Sequence, residues 1–218
     1  MTLRLAASAA ITLTLWLMPA TASPQGKMSA SAALELSAAS AKSLVHDTSQ
    51  TFSGVLFGGE ASLALGKLSL DLLYLEGSAS SDGNEADRDV VEGEVMLGFH
   101  ALRWLSLKIG PHARSYVTAQ GTQRWMFWEL RLAADAALGT PTLKAYFEGW
   151  TSLSTNLDVA ESLDRAQGLQ GGIRLEPRGL PISFRLGYRM DHSRLADGVR
   201  LETIEHLMLA VGWRFGGR

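Results

Sequence analysis

The chain of 218 residues contains no cysteine, carries 20 basic against 22 acidic side chains, and is 46% hydrophobic with a net charge of −2. That balance offers no basic surface to nucleic acid, and the lack of cysteine excludes both a disulfide framework and thiolate-ligated metal. Twenty-two glycines against six prolines suit strands joined by tight turns.

The first segment reads MTLRLAASAAITLTLWLMPATASPQG, with Arg4 ahead of an uncharged run and the small residues Ala20 and Ala22 flanking Thr21. This is the layout of a secretory signal peptide cleaved after Ala22, so residues 1–22 are assigned to export and 23–218 to one folded domain. The uncharged run is shorter than the roughly 20 residues of a spanning helix, and no later run approaches that length. A membrane role would therefore have to use strands.

Along the rest of the chain, apolar and polar residues alternate with a period of two. SAALELSAASA (31–41) is the least clear segment, since its alanines also suit a helix. VLFGGEASLALG (55–66), KLSLDLLYLEGSA (67–79), DVVEGEVMLGFH (89–100), WLSLKIGPHARSYV (104–117) and RWMFWELRLAADAALG (124–139) follow. TLKAYFEGWTS (142–152), QGLQGGIRLE (167–176), ISFRLGYRMD (182–191) and RLETIEHLMLAVGWRF (200–215) complete the set. Short connections at Gly66-Lys67, 101–103, Gly139 and 177–181 alternate with longer polar ones at roughly 42–54, 80–88, 118–123, 153–166 and 192–199. Strands meandering across a slab, with tight turns on one side, give this rhythm. The fold class predicted is all-β, an antiparallel up-and-down transmembrane barrel of about ten strands, with eight as the alternative count.

The polar phase of the segments holds Glu92 and Glu94; Lys108, His112 and Arg114; Glu129, Arg131 and Asp135; Lys144 and Glu148; Arg174 and Glu176; Arg185, Arg189 and Asp191; and Glu202, His206 and Arg214. In a membrane barrel these face the lumen, while Phe184, Leu186 and Tyr188 face lipid. Long charged side chains fill much of so small a barrel, giving a plug or a narrow channel. Aromatics collect at segment ends: Trp104, Trp125, Trp128, Trp213 and Phe215 are assigned to the girdles where amphipathic rings meet the membrane interfaces.

The final segment ETIEHLMLAVGWRF, alternating and ending on an aromatic, resembles the C-terminal strand of bacterial outer-membrane β-barrel proteins, although Gly216, Gly217 and Arg218 follow it. The resemblance is to a class and covers the mature chain in pattern. It implies residence in the outer membrane, contact with its lipid and lipopolysaccharide, and handling by the barrel-assembly machinery. Lipid deacylases of this class have a His-x-Ser arrangement on a late strand, but His192 and Ser193 are adjacent and would point to opposite faces. Omptin-like proteases carry Asp and His pairs at the rim, where His46, Asp47, Asp191 and His192 are the candidates. The five histidines have no ligand spacing, so no metal or other cofactor is expected. The reading is a non-enzymatic outer-membrane barrel with an envelope-structural, surface-interaction or small-solute channel role. An outer-membrane hydrolase and a secreted soluble ligand-binding barrel are the alternatives.

Overall fold

A computed structural model describes residues 28–45, 48–82, 87–118, 121–157, 163–195 and 200–215. They form ten strands: β1 (Met28–Val45), β2 (Thr48–Leu65), β3 (Leu68–Ser81), β4 (Arg88–Leu102), β5 (Leu105–Thr118), β6 (Gly121–Leu138), β7 (Thr140–Leu157), β8 (Leu163–Leu175), β9 (Ile182–Leu195) and β10 (Arg200–Phe215). Each pairs antiparallel with its neighbour in sequence, and β1 closes the ring on β10 from Ala30↔Phe215 to Val45↔Arg200. Closure leaves no strand edge, so the backbone of the wall is hydrogen-bonded without water. The eight-strand count is excluded, and 31–41 is strand because its backbone is paired on both sides.

Burial is inverted relative to a water-soluble protein. On β10, Leu207, Leu209, Val211, Trp213 and Phe215 stand half-exposed on the outer wall, while Glu202 and His206 are buried inside. The same holds on β4, where Glu92 and Glu94 are buried and Val95, Leu97 and Phe99 are exposed. Period-two alternation produces this because each strand has one face inward and one outward. Such a continuous apolar exterior is far larger than a soluble monomer exposes.

The connections correct one expectation. Most of 42–54 is strand, with β1 running to Val45 and β2 starting at Thr48, and the other long connections shrink likewise. Beyond the apolar band the outer face turns polar while the inner face holds apolar residues such as Phe52 and Ile204, so the lipid-facing alternation fades although the backbone pairing continues. Strands of 13 to 18 residues exceed the roughly 9–11 that span a bilayer, so the wall projects past the band at this end. At the opposite end, here the turn end, the chain reverses at Gly66, Gly139 and Gly179, whose positive φ angles of 62°, 71° and 81° suit glycine. The β4–β5 ladder lapses between Glu94↔His112 and Leu97↔Ile109, where Pro111 has no N–H to give. The proposed signal peptide, 1–22, lies outside the described residues.

Candidate functional site

Three layers fill the lumen. Nearest the projecting end, inward side chains of β2 to β8 and β10 form an apolar cluster: Phe52, Leu56, Leu75, Ala79, Val90, Tyr116, Trp125, Phe127, Trp150, Ala166 and Ile204. Trp125 lies edge-on to both Tyr116 and Phe127, at centroid distances of 6.0 and 6.2 Å. The Arg88 guanidinium covers Phe52 from 3.6 Å. Ala39 and Ala41 of β1 pack against this cluster, beside a small cavity of about 30 Å³.

The middle layer is ionic and crosses the barrel. Arg114 on β5 reaches Asp191 on β9 at 2.6 Å, and Arg189 on β9 reaches Glu92 on β4 at 2.7 Å. Arg189 also binds Asp191 at 2.8 Å, and Arg131 binds Glu94 and Glu129, each at 2.7 Å. His112 sits among three carboxylates, with Nδ1 2.6 Å from Glu129 and Nε2 3.2 Å from Glu92. Tyr116 donates its hydroxyl hydrogen to Glu202 across the same space at 2.7 Å. Glu92, Glu129, His112, Arg114, Asp191 and Arg189 are all essentially buried. Burying charges is costly unless each is paired and hydrogen-bonded, and here reciprocal ion pairing offsets much of that cost, although His112 Nε2 and Glu94 Oε1 make no hydrogen bond.

Glu92, Glu94 and His112 present ligand atoms within 4.8 Å of one another. Their carboxylates already face Arg114, Arg131 and Arg189, whose positive charge opposes a cation, so the cluster is read as ion pairing.

Toward the turn end the lumen opens into a vestibule of about 630 Å³. Arg185 bridges Glu35 and Glu60, and Lys108 bridges Asp71 and Glu148 at 3.3 and 3.2 Å. Lower down, Lys144 and Arg214 share Glu176, each at 3.0 Å, and Arg174 lies 3.5 Å from Asp135. Tyr146 projects inward beneath the Arg185 and Arg174 guanidiniums, at 5.9 and 5.5 Å. Its hydroxyl occupies the space above Gly187, where any Cβ would collide with it.

The charges expected in the lumen thus divide. Glu92, Glu94, Arg114, Glu129, Arg131 and Arg189 make the buried layer, and Glu202 lies beside Tyr116. Lys108, Asp135, Lys144, Glu148, Arg174, Glu176 and Arg185 line or rim the vestibule. Of the aromatics, Trp104, Trp128, Trp213 and Phe215 stand on the exterior, about half exposed. Trp125 corrects the girdle assignment: it is 1% exposed and part of the internal apolar cluster. Residues 125 and 128 are three apart, so on a strand they point to opposite faces and cannot both meet lipid.

The apolar layer was not anticipated. Its signal is the unbroken run Trp125-Met126-Phe127-Trp128, which is what a strand buried on both faces shows. The hydrolytic candidates read from the sequence are not brought together among the described residues. His192 faces outward and hydrogen-bonds Thr203 at 3.2 Å, Ser193 is buried inside, and Asp191 is held by two arginines. His46 and Asp47 lie outside the described residues.

No family model and no curated protein matches the chain. Solved structures that match are bacterial outer-membrane β-barrels, a likeness of class. The translocator domain of the autotransporter NalP from Neisseria meningitidis is 10% identical, with 87% of this chain and 88% of that one covered and a TM-score of 0.45. Neisserial surface protein A is 12% identical over 84% and 97%, with a TM-score of 0.38. The N-terminal β-barrel domain of Pseudomonas aeruginosa OprF is 13% identical over 88% and 100%, with a TM-score of 0.30. The closed ten-strand architecture rests on the chain's own strand pairing and draws no argument from likenesses this distant.

Proposed function

We propose that this chain is an integral outer-membrane barrel whose lumen is closed by its own side chains, so that it serves the envelope through its wall and rim instead of as an open pore or an enzyme. The observation that carries this is the pair of bonds across the lumen, Arg114 to Asp191 and Arg189 to Glu92, roofed by the aromatic cluster around Trp125. Any solute large enough to be useful would have to break buried ion pairs and displace packed rings. The apolar outer wall supports the membrane setting, since it has no other covering among the described residues. By analogy with known membrane barrels the tight turns face the periplasm and the projecting end the outside.

Passage of small solutes is the second reading, and the vestibule of about 630 Å³ at the turn end is what favours it. Proteoliposome swelling separates the two. The protein is refolded into vesicles, its insertion is checked by heat-modifiable gel migration, and swelling is followed in an iso-osmotic small sugar. The closed barrel leaves the swelling rate at that of protein-free vesicles. A sugar-dependent rise with inserted wild type would reject closure in favour of a channel, and a chain that never inserts would reject the membrane barrel itself.

A further inference from the structure

The outer wall carries an unusual pairing on β8 and β9 toward the projecting end. Arg165 and Arg194 are opposite each other in register, next to a bulge between Leu163 and Arg165 that adds exposed Asp164 to β8, and both arginines are exposed. They face outward because the neighbouring residues Ala166 and Ser193 are buried inside at 0% and 4% exposure. Like charges directly opposite on one sheet face repel, so this pairing weakens the wall unless an anion lies between them. No carboxylate of the described residues pairs with either guanidinium.

Their height on the wall identifies the anion. The apolar outward face of these two strands runs from Phe184 and Leu175 up to the rung Leu169↔Met190, where Tyr188 bonds outward-facing Glu205 at 2.7 Å. Gln167↔His192 is the next outward rung and Arg165↔Arg194 the one after. Four residues is about 13 Å along a strand, less along the membrane normal once the strand tilts, and an arginine side chain can reach back toward the bilayer. That is the level of lipid headgroups. Polar side chains lie just beneath on the same face, with His192 and Thr203 hydrogen-bonded to each other. On β3 and β4 the sign differs: outward Ser78 bonds Asp89 and Tyr74 bonds Glu76.

We infer that Arg165 and Arg194 form a clamp for the phosphate of a lipid in the leaflet that surrounds the projecting end. This rests on the membrane reading proposed above. Two guanidiniums flanking one phosphate replace mutual repulsion with charge-assisted, bidentate hydrogen bonds. The source is a lipid, not free phosphate, because the acyl chains would lie along Leu169, Met190 and Tyr188, below the intervening polar rung Gln167↔His192.

The test uses the full barrel in nanodiscs of phosphatidylcholine doped with diphosphorylated lipid A or with its dephosphorylated form, and native mass spectrometry counts the lipid retained on ejection. Wild type should hold the phosphorylated lipid about tenfold more tightly than the dephosphorylated one. Arg165→Gln/Arg194→Gln should abolish that preference, while Arg124→Gln, which removes an outward cation on β6, should leave it intact. A preference that survives the double variant overturns the clamp, as does its absence in wild type. Displacement of the lipid by millimolar inorganic phosphate would also overturn it, showing a free-anion site. Heat-modifiable migration of each variant shows that the barrel is intact. A wild-type chain that does not insert would instead bring down the membrane reading.

Discussion

The two ends of the lumen solve the same problem in opposite ways. Toward the projecting end, Trp125, Phe127, Phe52 and Ile204 exclude water, and the charges beneath them are buried and mutually bonded. Toward the turn end, Arg174, Asp135 and Arg214 pair in an open vestibule at 29%, 44% and 42% side-chain exposure, where solvent screens them. The sequence composition of the inward faces differs little in charge type between the two. What differs is whether a layer of rings seals them off, and this decides how much each ion pair matters.

The contrast is tested most strongly by deleting one cation from each region. Arg189→Ala takes one of the two guanidiniums from each of the buried carboxylates Glu92, Glu94 and Asp191, leaving Arg114 and Arg131 to hold them, and should cost about 3 kcal/mol. Arg174→Ala removes a solvated pair and should cost about 0–1 kcal/mol. Urea unfolding in lipid vesicles, followed by tryptophan fluorescence, reads both. Equal losses would mean that the middle layer is as wet as the vestibule.

Trp125→Ala should destabilise by about 3–5 kcal/mol, because it leaves a cavity where the rings of Tyr116 and Phe127 met it. Trp104→Ala at the turn end changes only an exposed girdle position and should cost less in the same unfolding assay. If the two losses matched, Trp125 would belong on the outer wall after all.

A third pair contrasts the inner and outer faces of one strand. Leu186→Arg puts a charge on the lipid face, at about 2–4 kcal/mol near the midplane. Arg185→Leu removes the partner of buried Glu35 and of Glu60, which is about a third exposed in the vestibule, but leaves the lipid face apolar, so its effect on insertion should be smaller. Folding yields in vesicles should fall further for Leu186→Arg; equal yields would contradict the assignment of faces.

Gly187→Ala is the most local change. The new methyl would meet the Tyr146 hydroxyl and the Met208 side chain, so the Tyr146 ring must swing into the vestibule. With open space beside it, the ring should move at a cost below that of Trp125→Ala. Pairing Gly187→Ala with Tyr146→Ala in a double-mutant cycle checks this, because Tyr146→Ala should relieve the clash.

How much of this was legible in the sequence depended on position. The faces of β9 and β10 could be read directly, since ISFRLGYRMD and LMLAVGWRF alternate cleanly through the lipid-facing band. The strand count followed from the same rhythm together with the short turns. Strand ends could not be read, because beyond the band Thr48 to Thr51 and Arg200 to Glu202 lose the apolar phase while keeping their pairing. The lumen charges could be placed inward but not matched. Arg114 and Asp191 are 77 positions apart and meet across the ring, which needs barrel register as well as strand parity. Arg185 looked like part of a plug and instead lines the vestibule. In the proposed closure, Arg114, Arg189 and the rings above them take that part, and those rings were hidden because apolar residues on both faces blur the period of two.

The central claim is that the lumen is shut, and planar-bilayer recording tests it directly. Wild-type protein should insert with little or no steady conductance, and Trp125→Ala/Arg189→Ala, which removes the roof and a cross-lumen bond together, should pass current. A large, steady wild-type conductance, unchanged in that double variant, would show that ions bypass these side chains and that the lumen is open.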